Sequence, residues 1–246
     1  MNSKNKLHVF DSGEALTEAT ATFIIKLAGE SVSKRGRFII SLSGGHTPER
    51  LYALLAKEPY SHQIPWDKTF VFWGDERCVP ADDKDNNGRM AKTLLLDHVS
   101  IPPVNAYPVK VDLSPVDAAK AYEASIRQLF GNEAPVFDLI LLGLGENGHT
   151  ASLFPGTPVL QETQHIIKEV YVEEQKMFRI TMTAPLINQA RNILFLLEGK
   201  GKAEVLNTIL NGAYEPEKYP AQLITPVDGN LYWFTDKEAA AKLADK

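Results

Sequence analysis

The stretch FDLILLGLGENGHTASLFPGTP, residues 137–158, holds the reading that decides the fold. It opens as a continuous apolar run, 137–142, of the kind that fills a strand buried on both faces of a parallel sheet. It then breaks into a loop with glycines at 143, 145, 148 and 156, and His149 follows the third of them. A buried strand opening into a glycine-rich loop is how α/β proteins turn backbone N–H groups toward a phosphate or an oxyanion. An imidazole in the same loop adds a group that moves protons near neutral pH. The glycines around His149 leave little bulk to bury it, so a reactive role outweighs a purely structural one.

Gly143, Gly145 and Gly148 also spell G-x-G-x-x-G, the fingerprint of a dinucleotide site. The context disagrees. That fingerprint needs a helix starting within the glycine loop, and Pro155-Gly156 interrupts a few residues later. The ribose-binding acid belongs at the end of the next strand, whereas Glu169 lies inside one. The dinucleotide reading is therefore set aside.

Outward from this segment, further apolar runs read as strands: Phe38–Leu42, Thr69–Trp73, 193–197 and 231–234. Helical spacing of apolar residues lies between and around them at 13–34, 47–57, Pro115–Phe130, 202–210 and 236–244. Thr47 reads as the cap of the second helix, with Pro48 at its first position. Residues 165–183 hold short β-rich runs that suit an antiparallel pair, and 79–88 reads as a long surface loop rich in Pro, Asp and Asn. Strands alternating with helices predict an α/β fold with a mainly parallel central sheet. With no linker and no internal repeat, residues 1–246 are expected to form a single domain.

The 246 residues carry a net charge of −5 with charges interspersed, which argues against nucleic acid or an anionic membrane as partner. A single cysteine, Cys78, excludes an internal disulfide and fits a reducing compartment. The N-terminus lacks the apolar core of a signal peptide, and the longest apolar runs are strand-sized, so a cytoplasmic location is expected. Six scattered histidines and one cysteine show no metal-ligand spacing.

Ligands of open α/β sheets bind where loops leave the carboxyl ends of strands. Two more such loops carry suggestive chemistry. Ser43-Gly44-Gly45-His46-Thr47-Pro48 joins a strand to a helix and suits an anion, although a plain glycine turn with a threonine cap explains part of it. It lacks the Lys-Ser/Thr ending of a nucleotide P-loop. Trp73-Gly74-Asp75-Glu76-Arg77 places three charges after a strand; orienting a substrate and forming a solvated ion pair explain it equally. Arg179 on a β-rich run needs a partner, and Lys202 opens a helix after 193–197, within reach of a bound phosphate.

Taken together, Ser43-Gly44-Gly45 with Thr47-Pro48, Trp73 to Arg77, Gly148-His-Thr-Ala-Ser-Leu-Phe-Pro-Gly156, and Gly199 with Lys202 resemble the glucosamine-6-phosphate isomerase/6-phosphogluconolactonase family, on its lactonase side. The resemblance implies a three-layer α/β/α fold of the NagB/RpiA/CoA transferase-like kind. It implies hydrolysis of a small sugar-phosphate lactone, 6-phospho-D-glucono-1,5-lactone, with no cofactor; a monomer or weak homodimer is expected. His149, Asp75 and Asn147 are the implied catalytic residues, with His149 as general base. Ser43, Gly44, Gly45, Thr47, Arg77, Gly148, Arg179 and Lys202 are the implied substrate-binding residues. Asn147 departs from the pattern: similar proteins commonly carry Asp there. An amino-sugar phosphate isomerase of the same fold typically has Asn-Glu-Pro after the histidine region, where this chain has Ser152-Leu153-Phe154-Pro155. A sugar-phosphate sensor would need an output module, for which the N-terminus offers no extension.

Overall fold

The computed structural model describes residues 5–243. In chain order the elements are β1 (Asn5–Phe10), α1 (Gly13–Arg35), β2 (Phe38–Leu42), α2 (His46–Leu55), β3 (Thr69–Trp73), β4 (Asp75–Arg77), α3 (Asn87–Leu94), α4 (Pro115–Phe130), β5 (Leu139–Leu142), β6 (Ile167–Val172), β7 (Met177–Met182), α5 (Ala184–Asn188), β8 (Asn192–Leu197), α6 (Ala203–Asn211) and β9 (Asn230–Asp236). Six strands form one sheet in the order β1-β9-β8-β5-β2-β3, and every neighbouring pair is parallel.

Alternation along these strands feeds two separate cores. Ile39, Phe72, Ile140, Leu142, Ile193, Phe195 and Trp233 face one side, where Tyr122 and Ile126 of α4 and Leu206 of α6 pack on them. Ile40, Leu42, Val71, Trp73, Leu141, Leu194 and Leu196 face the other, under Leu16 and Ile24 of α1 and Leu51 of α2. The strands are apolar on both faces because both faces are covered, which gives the three-layer α/β/α sandwich. No helix among the described residues is long and apolar enough to cross a membrane.

The topology locates the crevice. From β2 the sheet grows outward to β3, and from β5 it grows the opposite way through β8 and β9. β2 and β5 are neighbours, paired through Ile40–Leu139 and Ser41–Ile140. The loops leaving them therefore diverge from a switch point, where open α/β sheets bind ligands.

A second, antiparallel sheet of three strands, in the order β4-β7-β6, flanks this end. β6 and β7 form the expected antiparallel pair. Asp75–Arg77, read from sequence as part of a loop, instead forms a short strand on β7, and Met182 N–H donates to Gly74 O at 2.8 Å just before it. The surface loop expected over 79–88 ends early. Asn86 caps α3 by accepting from Arg89 N–H, and both Asn86 and Asn87 are buried. The cap of α2 is Gly45 rather than Thr47, which puts Pro48 at the third helical position. The helix expected over 236–244 does not form within the described residues: Asp236 ends β9 and turns follow, and Ala244 lies outside the described residues.

Candidate active site

Two buried tyrosines hold the strand ends that frame the crevice. The Tyr52 hydroxyl accepts from Ser43 N–H at 3.0 Å and donates to Ser43 O at 2.7 Å. Tyr122 does the same at Trp73, at 2.6 and 3.0 Å. Burial pushes both phenols well above their usual range, so each keeps the proton it donates. Ser43 and Trp73 are thereby fixed at the mouths of β2 and β3. Beyond Ser43, Gly45 takes φ 106 at the start of α2, and no side chain caps that helix. Its first-turn N–H groups therefore stay open to a ligand.

Alternation along β4 divides its three charges. Glu76 turns away and caps α3: Oε1 accepts from Arg77 and Asn87 N–H at 2.8 Å each, and Oε2 from Gly88 N–H at 2.7 Å. Burial pushes its carboxyl up to about 7, against these three donors, which favour the ionised form. Asp75 and Arg77 line the cleft. Asp75 Oδ2 accepts from Ser152 Oγ at 2.6 Å and lies 3.5 Å from Arg179 Nη1. Arg77 Nη1 donates to Asp85 O at 2.6 Å. Arg179 also donates to Gln175 Oε1 and lies 5.5 Å from the Phe154 ring centroid.

Arg77 and Arg179 are direct cross-strand partners. Like charges so placed repel. Both Nε atoms are buried without a hydrogen-bond partner. Asp75 offsets one positive charge, and an anion in the cleft would offset the other.

His149 is half-buried, stacked on Phe154 with ring centroids 4.1 Å apart and planes 18° apart. Asn147 Oδ1 lies 3.2 Å from His149 N–H and 2.6 Å from its Nδ1. The backbone N–H can only donate, so the atom facing it is the amide oxygen. The same oxygen faces Nδ1, so Nδ1 must carry the ring proton and Nε2 holds the lone pair. Burial pulls the imidazole down to about 4, Asp75 opposes this, and Arg179, Lys202 and Arg77 add to the lowering. The ring is neutral at pH 7.

The glycines act differently from the sequence expectation. Gly145 N–H donates to His149 O and Gly148 N–H to Gly145 O, at 2.8 and 2.9 Å. With His149 N–H held by Asn147, these three N–H groups are used within the loop and are not offered to an oxyanion. The glycines make room instead. A Cβ on Gly145 would lie 2.1 Å from His149 Nδ1, and Gly148, at φ 82, packs against Tyr219.

Across the cleft, Lys202 ends a single helical turn after β8, whose start is fixed by Gly199 N–H donating to the Asp236 carboxylate at 3.1 Å. An Arg50–Glu198 ion pair ties α2 to this loop. The resulting cleft has a volume of about 530 Å³. Ser43, Gly44, Gly45, Thr47, Asp75, Arg77, His149, Arg179 and Lys202 all line it, whereas Asn147 supports His149 and Gly148 is buried behind the wall. Sequence reasoning missed Asn87, which also lines the cleft from the start of α3, and Ser152, which holds Asp75. Asn87 sat in a run of Asp and Asn that resembles any solvated loop. A cavity of similar volume lies at the other end of the sheet, beside Arg35 and Arg191, but both arginines are engaged with buried Asp138. Among the described residues no group of three or more His, Cys, Asp or Glu is placed to hold a metal ion.

Residues 11–233 match the family described as glucosamine-6-phosphate isomerases/6-phosphogluconolactonase. The chain is 40% identical over 242 residues to a 6-phosphogluconolactonase of Synechocystis, covering 97% of this chain and 98% of that one. Among solved structures, 6-phosphogluconolactonase from Trypanosoma cruzi superposes with a TM-score of 0.87 at 33% identity, over 100% of this chain and 99% of the other. A monomeric glucosamine-6-phosphate deaminase, described as a missing link of the NagB superfamily, shares the fold at TM-score 0.82 and 22% identity, over 96% and 99% of the two chains. Fold, cleft and full-length similarity agree, and the chain belongs to the glucosamine-6-phosphate isomerase/6-phosphogluconolactonase family.

Proposed function

We propose that this protein hydrolyses 6-phospho-D-glucono-1,5-lactone to 6-phospho-D-gluconate, the lactone-opening step of the oxidative pentose phosphate pathway, with His149 as general base. Its similarity to proteins named 6-phosphogluconolactonase supports the substrate. The observation that carries the mechanism is the tautomer of His149: Nδ1–H is held by Asn147, which leaves Nε2 as a neutral base on a residue lining a cleft rich in positive charge.

In this reading Nε2 takes a proton from water as the water oxygen bonds to the lactone carbonyl carbon. The carbonyl electron pair moves onto oxygen, giving a tetrahedral oxyanion. Collapse re-forms the C=O bond and breaks the bond to the ring oxygen, which takes the proton back from Nε2. A basic side chain takes the role of oxyanion donor, because the N–H groups of Gly145, Gly148 and His149 are used within the loop. Asp75 offsets the transient imidazolium charge; of Arg179, Arg77 and Lys202, those not at the oxyanion hold the phosphate together with the start of α2. Binding there orients the carbonyl for attack. The reaction needs no covalent intermediate, so neither Cys78 nor Ser152 acts as a nucleophile.

The test follows hydrolysis of freshly made 6-phosphogluconolactone, with gluconolactone and glucosamine 6-phosphate as controls. Strong acceleration of the phosphorylated lactone is expected, with only weak residual acceleration of gluconolactone. A rate equal to the spontaneous one removes the proposal, and release of ammonia from the amino sugar replaces it with the deaminase chemistry of the same fold.

A further inference from the structure

Asn87 is 2% exposed, yet its amide oxygen has no hydrogen-bond partner. Its orientation is fixed. Nδ2 donates to Asp75 O at 3.0 Å, and since a carbonyl only accepts, the other amide atom is the oxygen. The backbone of Asn87 is held as well: its N–H donates to Glu76, and its carbonyl accepts from the Trp73 indole at 3.3 Å. Swinging the side chain out to find water would break its Nδ2 bond to Asp75 O. Buried polar groups in folded proteins are almost always satisfied, and a rigid exception beside a cleft marks a place where a partner arrives with the ligand.

The neighbouring backbone points the same way. A Cβ on Gly44 would lie 2.0 Å from Asn87 Oδ1, so only glycine at 44 leaves room for the amide where it stands. Asn87 and Gly44 both line the cleft that contains His149 and Arg179. An amide oxygen accepts and never donates. A phosphate dianion and a lactone carbonyl offer no donor, so of the groups on a sugar-phosphate lactone only the ring hydroxyls can satisfy it.

We infer that Asn87 is a specificity-determining residue whose Oδ1 accepts a hydrogen bond from one ring hydroxyl of the bound sugar. The inference rests on the lactonase reading above. Asn87 thus reads the sugar while the arginines read the phosphate, and its bond to Asp75 O ties that reading to the strand carrying Asp75.

The test compares kcat/KM for 6-phosphogluconolactone with that for its 2-, 3- and 4-deoxy analogues, in the wild type and in Asn87→Ala, with Tm of both proteins. In the wild type one analogue should lose about tenfold or more, because a site built around a hydroxyl rejects the ligand that lacks it. In Asn87→Ala that analogue and the parent should react at similar rates, while the other two keep their wild-type ratios. A residue that only braces the fold would lower all four substrates together. Wild-type enzyme that hydrolyses every deoxy analogue within about twofold of the parent overturns the inference even if the variant does not fold. No turnover of the parent lactone would instead remove the lactonase reading.

Discussion

Asn147 Oδ1 lies 2.6 Å from Nδ1 of His149 and fixes the tautomer of the imidazole without adding charge. The consequence is tested by Asn147→Asp. A carboxylate in that place would favour the imidazolium and raise the His149 pKa from about 4. The acid limb of the kcat/KM profile should therefore sit near pH 4 in the wild type and move to higher pH in the variant. An unmoved limb in the variant would show that the group titrating there is not His149.

His149→Gln should lower kcat by about 10²- to 10⁴-fold, the usual worth of general-base catalysis. The same variant should change how stability responds to acid. The folded-state pKa of His149 is depressed below the ordinary histidine value of 6.5, so between pH 6.5 and about 4 the unfolded chain takes up a proton that the native state refuses. Stability from this residue is thus lost as pH falls through that window, and Gln removes the loss. Thermal melts of both proteins across the window check the sign. A wild-type melt that falls no faster than the variant's would contradict a buried neutral imidazole.

Gly145→Ala separates room from backbone freedom. Gly145 is absent from the glycines with positive φ, so alanine fits its backbone, but its methyl would occupy space 2.1 Å from His149 Nδ1. The imidazole must shift away from Asn147. A fall in kcat of tenfold or more, about 1.4 kcal/mol, with a Tm near wild type is expected. Equal activity in the two proteins would mean that the ring position has no bearing on turnover.

The layered fold was legible because parallel strands covered on both faces are written as unbroken apolar runs; Phe38–Leu42 and Thr69–Trp73 match their strands end to end. β4 was not, since three consecutive charges carry no strand pattern and owe their conformation to pairing with β7. α3 was hidden for a related reason: its first turn is stabilised by Glu76, eleven residues upstream of Asn87, and local sequence does not show such a bond. In the site, glycine loops and charged residues at strand ends were readable. Asn87 and the two tyrosine clamps were not, because each acts through a contact that only the folded chain makes.

Arg179 and Lys202 should fail in different ways. Arg179 is buried and is the ion-pair partner of buried Asp75, so Arg179→Ala leaves a carboxylate supported by Ser152 alone. Removing one member of a buried pair costs on the order of 3 kcal/mol, so both Tm and substrate affinity should drop. Lys202 is half-buried at the end of a one-turn helix and makes no side-chain hydrogen bond or ion pair among the described residues. Lys202→Ala should therefore raise KM for the phosphorylated lactone with little change in Tm, and residual turnover of unphosphorylated gluconolactone should be unaffected. Melting curves and the KM values for the two lactones separate the cases. If Lys202→Ala weakens both lactones alike, the lysine does not hold the phosphate and Arg179 and Arg77 must hold it without help.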